Sequence, residues 1–280
     1  MENGNGGWET LKSGTKAKLE SVLERIGNAA RRSGRTEKAV KLVAVTKYVD
    51  GTTGLEAALR SAGCVDFGEN RVSRAMDKWH LFASRCGHAE PGGWAMPNPK
   101  EIHWHFIGSL QRNKVRRLLP YVSLLHSIDT PELFDAVRRI MDEENEKGAG
   151  TASCASAESS PVFPQSLPAL LEVNISGEGN KHGFQPETFL DQAGPILENP
   201  GRIVPCGLMG MGGLASSPQE VRTQFATLRK LFEEVCRLHT GLAGFKEISM
   251  GMSGDFEIAV EEGATIVRIG SVLYPDGFWG

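Results

Sequence analysis

Eight short runs of apolar, largely β-branched residues punctuate the chain, at 42–46, 64–67, 102–107, 122–128, 169–175, 203–209, 245–250 and 265–269. Most are nearly continuous rather than alternating, as expected of strands buried on both faces. Between them lie segments with helical periodicity or helix formers, at 53–62, 69–83, 111–119, 131–147, 186–198, 218–238 and 254–262. A further segment, 15–32, precedes the first run and carries Leu19, Val22, Leu23 and Ile26 at helical spacing. Strands alternating with helices imply parallel strands joined by right-handed crossovers. Eight of them in about 250 residues match a single α/β (β/α)8 TIM barrel with an extra N-terminal helix. An open doubly wound sheet is the weaker alternative, because no Gly-x-Gly-x-x-Gly follows the first strand.

Two stretches break the rhythm. Residues 84–100 contain Pro91-Gly92-Gly93 and Pro97-Asn98-Pro99, and residues 148–168 are rich in Ser, Ala and Pro. Each follows a helix and precedes a strand, which places both insertions on the amino-terminal face of the barrel, opposite the face where such barrels build their sites. The Gly/Asn-rich residues 1–14 are expected to be disordered, leaving 15–280 as one barrel domain.

Composition narrows the function classes. The 280 residues are 40% hydrophobic with a formal net charge of −3, which gives no basic bias toward nucleic acid or an anionic membrane. No apolar run approaches the length of a membrane span, and the start of the chain lacks the pattern of a signal peptide, so a cytoplasmic protein is expected. Cys64, Cys86, Cys154, Cys206 and Cys236 are scattered and contain no C-x-x-C pair. That pattern argues against a disulfide framework and against structural zinc.

The chemistry concentrates at strand ends. Lys47 follows the apolar run Leu42-Val43-Ala44-Val45-Thr46, and ligands of α/β folds bind at the carboxyl ends of strands. A lysine amine partly withdrawn from water is suited to attack a carbonyl. Near the other end, Ser249-Met250-Gly251-Met252-Ser253-Gly254-Asp255 and Val267-Arg268-Ile269-Gly270-Ser271 fall after the seventh and eighth strands, the usual phosphate-binding corner of such barrels. Glycines admit a phosphate close to the backbone, while serine hydroxyls and free N–H groups supply donors. A Schiff-base lysine and a phosphate corner on one face suggest pyridoxal 5′-phosphate (PLP). Arg268 lies two residues before Gly270 on the same strand, so it faces the barrel interior, where its guanidinium could meet the pyridine nitrogen. A salt bridge to an inward carboxylate is the alternative role.

These residues reach a known family. The chain resembles the pyridoxal phosphate homeostasis proteins, the YggS-like relatives of the alanine racemase barrel, PLP fold type III. The likeness runs from about Val43 to Ser271 and rests on Ala44-Val45-Thr46-Lys47, Phe67-Gly68-Glu69-Asn70, Trp104-His105-Phe106-Ile107-Gly108, Leu110-Gln111, Asn113-Lys114, Val173-Asn174, Ser176-Gly177-Glu178, Gly207-Leu208-Met209, Ser249-Met250-Gly251-Met252-Ser253 and Val267-Arg268-Ile269-Gly270. The resemblance implies PLP held on Lys47 as a Schiff base, with Asn70 near the ring and Arg268 at the ring nitrogen. It also implies that Ser249, Met252, Ser253, Gly270 and Ser271 surround the phosphate. Apo PLP-dependent enzymes follow as candidate recipients of the ligand. The chain departs from the family around the lysine, where Tyr48-Val49-Asp50 replaces the usual Thr-Lys-Pro, and after Asn70, where Arg71 replaces Tyr.

Two other readings stay open. A PLP-dependent amino-acid racemase needs a second base, which racemases of this type bring as a tyrosine from an added β domain. None of Tyr48, Tyr121 and Tyr274 is an obvious replacement, and Tyr48, beside the lysine, is the one that stays open. The missing β domain favours a carrier over an enzyme, and a monomer over a dimer. A metal-dependent barrel hydrolase would use His103 and His105, whose two-residue spacing puts both on one strand face. Lys181, in the loop after the fifth strand, is a candidate second amine for PLP or its phosphate.

Overall fold

The computed structural model describes residues 4–49, 51–85, 98, 101–148, 163–179, 182–242, 244–276 and 278. Its parallel strands close into a barrel in chain order: β1 (Lys41–Val45), β2 (Asp66–Glu69), β3 (His103–Phe106), β4 (Leu124–Ile128), β5 (Leu167–Val173), β6 (Ile203–Gly210), β7 (Glu247–Ser249) and β8 (Ile266–Ile269). The ring closes through β1 on β8, with Val43 opposite Arg268 and Ala44 opposite Ile269. The surrounding helices are α1 (Gly4–Arg32), α2 (Leu55–Ser61), α3 (Val72–Arg85), α4 (Val115–Leu118), α5 (Pro131–Gly148), α6 (Phe189–Glu198), α7 (Pro218–Leu238) and α8 (Phe256–Glu261).

The period-two alternation of a strand sorts its residues between two environments. Outward positions such as Ala44, Phe67, Trp104, Leu125, Leu171, Leu208, Ile248 and Val267 join the large apolar layer under the helices. Inward positions form a much smaller apolar group, Val43, Leu124, Leu170, Met209 and Ile266. The rest of the interior is polar: Asp66, His105, His126, Glu172, Ser249 and Arg268 are all buried. Close packing also dictates one glycine. A Cβ at Gly207, where φ is +152°, would stand 1.7 Å from the Glu247 carbonyl oxygen, so only glycine lets β6 lie against β7 there.

Several elements differ from the sequence expectation. Residues 4–14, read from composition as disordered, belong to α1. Tertiary contact overrides the weak helix propensity of the glycines. Trp8 packs on the core, Thr15 is fully buried, and Lys18 donates to Asp276 at 2.8 Å. Farther along, Arg25 grips Glu257 with two hydrogen bonds of 3.2 and 2.8 Å and lies 4.6 Å over the Phe256 ring, while Arg32 reaches Glu261 at 2.7 Å. Thus α1 covers the barrel beside α8, where, among the described residues, β8 leads into the short 3-10 turn Ser271–Leu273. The helix expected at 111–119 splits into two 3-10 turns around the single α-turn α4, with Pro120 in the second. Glu69 closes β2 instead of opening a helix. Most of the two insertions, 86–97, 99–100 and 149–162, and with them Cys86 and Cys154, lie outside the described residues, as does Lys181. Cys64, Cys206 and Cys236 are free thiols. No helix among the described residues is long and apolar enough to cross a membrane.

Candidate functional site

The closure of β1 on β8 decides which residues meet. In the ring, β7, β8, β1 and β2 are consecutive neighbours, so the residues after them share one arc of the carboxyl-terminal rim. Lys47 stands on that arc after β1, Asn70 after β2, Met252 and Ser253 after β7, and Gly270 and Ser271 after β8. Lys47 is half-buried, and its Nζ makes no hydrogen bond or ion pair with any described residue, lying 5.1 Å from the centre of the exposed Tyr48 ring. Asn70 is fixed by contact with the next turn: a Cβ at Gly108 would meet the Asn70 carbonyl oxygen at 2.2 Å.

The turn after β7 forms a backbone cradle against the end of β8. Ser253 Oγ accepts from the Gly270 N–H at 3.2 Å, the Met252 N–H donates to Asp255 Oδ1 at 2.6 Å, and the Arg268 N–H donates to the Gly251 carbonyl at 3.0 Å. Gly251 has φ +92°, and a Cβ there would sit 2.5 Å from that of Ala259. A Cβ on Gly254 would meet nothing within 4 Å, which leaves open space in front of the turn. Small residues, hydroxyls and turn N–H groups around open space fit a phosphate. The helix expected to open near Ser253 begins at Phe256, and the Met252 and Gly270 N–H groups are engaged by Asp255 and Ser253, so the Ser253 hydroxyl proton and the remaining turn N–H groups are the donors left to an anion.

Beneath the rim, two buried polar networks hold the site, one of them joining Arg268, Ser249 and His105 to His126 and Asp66, which carry no signal of their own in the sequence. The first lies between the barrel and its helices. Lys78 Nζ, 1% exposed, donates to the Thr46 carbonyl at 2.7 Å and to Thr46 Oγ1 at 2.9 Å, pairs with Glu69, and lies 2.9 Å from Glu56 Oε1. Burial pushes the Glu69 carboxyl up despite Lys78, and Glu56 adds to the push. Thr46 immediately precedes Lys47, and Tyr274 Oη donates to the Val45 carbonyl at 3.2 Å, so both residues before the amine are anchored through their backbone. The available signal was a lysine on the apolar stripe Ala75, Trp79, Phe82 of α3.

The second network occupies the barrel interior. Arg268 Nη1 donates to Ser249 Oγ at 2.6 Å and Nη2 to the Gly210 carbonyl at 3.1 Å. Ser249 Oγ is 3.0 Å from His126 Nδ1, His126 Nε2 is 2.9 Å from His105 Nδ1, and His105 Nε2 is 3.0 Å from Asp66 Oδ1. Ser249 is therefore held within the barrel below the cradle, its hydroxyl engaged by Arg268 and His126. Burial lowers the proton affinity of both histidines, strongly for His126. Arg268 is pulled down to about 10 by burial, opposed by the fields of Glu172 and Asp255, and so stays charged at neutral pH. Burial and the nearby Asp129 raise Glu172 to about 7. The salt bridge considered for Arg268 is absent: no described carboxylate lies within ion-pairing distance of it.

The two histidines weighed as metal ligands turn to the same carboxylate. His103 Nδ1 lies 3.2 Å from Asp66 Oδ1 at the open amino-terminal mouth. Among the described residues no group of three or more His, Cys, Asp or Glu is placed to hold a metal ion. Tyr48 is the tyrosine next to Lys47; Tyr121 packs against Trp79 and His80 on the outside of α3. Beside Asn70, a cavity of about 440 Å3 is lined by Arg71, Ser73, Ser109, Lys114 and Arg117, which makes the rim basic at the position where Arg71 departs from the family pattern.

Comparison with known proteins places the chain in a family. Residues 19–276 match the family model of the alanine racemase N-terminal domain. Curated relatives called pyridoxal phosphate homeostasis protein are 34% identical in Aquifex aeolicus, over 92% of this chain and 96% of the relative, and 32% identical in Homo sapiens, over 93% and 86%. The solved structure of PipY from Synechococcus elongatus with PLP bound superposes with a TM-score of 0.68 at 26% identity, covering 93% of this chain and 99% of that one. Alanine racemase of Clostridium difficile shares the fold alone, with a TM-score of 0.57 at 13% identity, and this chain covers 60% of it. A barrel closed in chain order, a lysine after β1, an arginine on β8 and these matches together make the chain a member of the pyridoxal phosphate homeostasis protein family, built on the alanine racemase N-terminal domain.

Proposed function

We propose that this protein binds PLP on the β7-β8-β1-β2 arc and serves intracellular PLP homeostasis, holding the ligand on Lys47 as a Schiff base. The observation that carries this reading is the Lys47 amine, free of hydrogen bonds and ion pairs among the described residues, standing on one arc with the buried Arg268 guanidinium and the cradle of Ser253 and Gly270. PLP supplies an aldehyde that condenses with a lysine amine with loss of water. The chain supplies the rest. Thr46, gripped by Lys78, fixes the root of Lys47; Met252, Ser253, Gly270 and Ser271 receive the phosphate; Asn70 flanks the ring; and Arg268, a donor at every nitrogen, faces the ring nitrogen and keeps it unprotonated. Apo PLP-dependent enzymes are the recipients in this reading, and the protein acts in the cytoplasm as a monomer.

The test is uptake of PLP by the purified protein, followed by visible absorbance. The parent is expected to develop the band of a bound Schiff base and Lys47→Ala to leave the spectrum of free PLP. A parent protein that leaves the free spectrum unchanged would overturn the reading.

A further inference from the structure

The interior network has a direction imposed from its Asp66 end and compatible with Arg268 at the other. Arg268 can only donate, so Ser249 Oγ accepts from it, and its one proton is left for His126 Nδ1. His126 then carries its proton on Nε2 and gives it to His105 Nδ1, and His105 carries its own on Nε2 and gives it to Asp66. The Asp66 carboxylate can only accept, which closes the chain without conflict. Reversal would turn a bare His105 Nε2 lone pair toward the Asp66 carboxylate, two acceptors face to face. Both histidines are thereby fixed as neutral Nε2–H tautomers.

This arrangement accounts for a buried guanidinium without a paired carboxylate. Bonds aligned head to tail polarise one another, so the Asp66 charge strengthens each acceptor up to Ser249 Oγ. From these observations we infer that Asp66, His105, His126 and Ser249 form a positioning column that runs through the barrel and orients Arg268 toward the ring nitrogen of bound PLP. The inference rests on the function proposed above. Lys41 Nζ, 3.9 Å from Asp66 Oδ1, and the exposed His103 face the outer end of the column, while Glu172 and Asp255 act on Arg268 at the inner end. None of the column's histidines touches the ligand face, so their effect on PLP passes through Arg268.

Two measurements test the column. In ligand-free protein labelled with 15N-histidine, long-range proton–nitrogen correlation is expected to show Nε2 protonated and Nδ1 bare for both His105 and His126. An Nδ1–H tautomer or an imidazolium at either position at neutral pH overturns the inference. With PLP, Ser249→Ala and Asp66→Leu are expected to weaken affinity about ten-fold and to shift the absorbance of the bound ligand, and Asp66→Asn, which keeps an acceptor oxygen but loses the charge, to fall between Asp66→Leu and the parent. Variants matching the parent in affinity and spectrum overturn the inference and leave the PLP reading standing. A parent that takes up no PLP overturns the reading beneath it, and the tautomers still decide whether the column exists.

Discussion

The two buried networks beneath the rim solve the same problem by opposite means. Lys78, Glu56 and Glu69 place one cation between two carboxylates outside the barrel, and they hold backbone, the Thr46 carbonyl that precedes Lys47. The interior column is built mainly of neutral groups and holds a side chain, Arg268. Charges removed from water are costly unless paired, so the ionic cluster stakes stability on each of its members. A chain of neutral bonds risks less at each link and depends on every link pointing the same way. The difference separates two faults: damage to the cluster should show first in folding, and damage to the column first in the ligand.

The largest effect is expected from Lys78→Met. It strands Glu56 and Glu69 in an apolar layer and should cost about 3–5 kcal/mol in denaturant unfolding. Replacing all three residues with Met, Gln and Gln should recover most of that loss, because no buried charge is then left alone. A single variant as stable as the parent would show that the cluster does not hold β1.

Next comes Glu172, beside Arg268. Its carboxyl titrates at about 7 in the folded chain, above the usual carboxylate range. From about pH 4.5 to 7 the folded form keeps a proton that the unfolded form has released, so stability falls as pH rises through that window and levels off above it. The loss amounts to about 3 kcal/mol by this linkage. Glu172→Gln should flatten that slope in unfolding measured at pH 5 and pH 8, and an unchanged slope would assign it to another group.

Gly108→Ala presses a methyl against the Asn70 carbonyl. The turn must shift, with an expected cost of about 1–3 kcal/mol and weaker PLP binding, read from thermal unfolding and a PLP titration. At the small end, Lys18→Ala removes an exposed ion pair with Asp276, far from both networks, and should change stability by less than about 1 kcal/mol and leave PLP binding unaltered.

The strand and helix rhythm made the barrel legible, because two-sided burial leaves continuous apolar runs and the helices keep their own period. Lys47 and Arg268 were legible for a related reason: each is a charge at or near the end of an apolar run, where only a ligand face accommodates it. The column was not. His126 sits in Leu124-Leu125-His126-Ser127-Ile128 and Asp66 in Val65-Asp66-Phe67, each a polar residue in a buried run whose partner is far along the chain, 123 positions for His126 and Ser249 and 39 for Asp66 and His105. Only closure of the ring brings them together. Lys78 lies within the apolar stripe Ala75, Trp79, Phe82 of α3, and the carboxylates that pair with it come from other elements of the fold. The opening turns of α1 were misjudged because glycine content speaks for the isolated chain, while Trp8 and Thr15 find their partners in the folded barrel.

PLP binding on this barrel turns on Lys47. Borohydride reduction of the PLP-loaded protein, followed by peptide mass mapping, locates the amine that carries the ligand. The account predicts a pyridoxyl adduct on the peptide containing Lys47 and its disappearance in Lys47→Ala. An adduct that maps to another lysine, or survives in that variant, would contradict it.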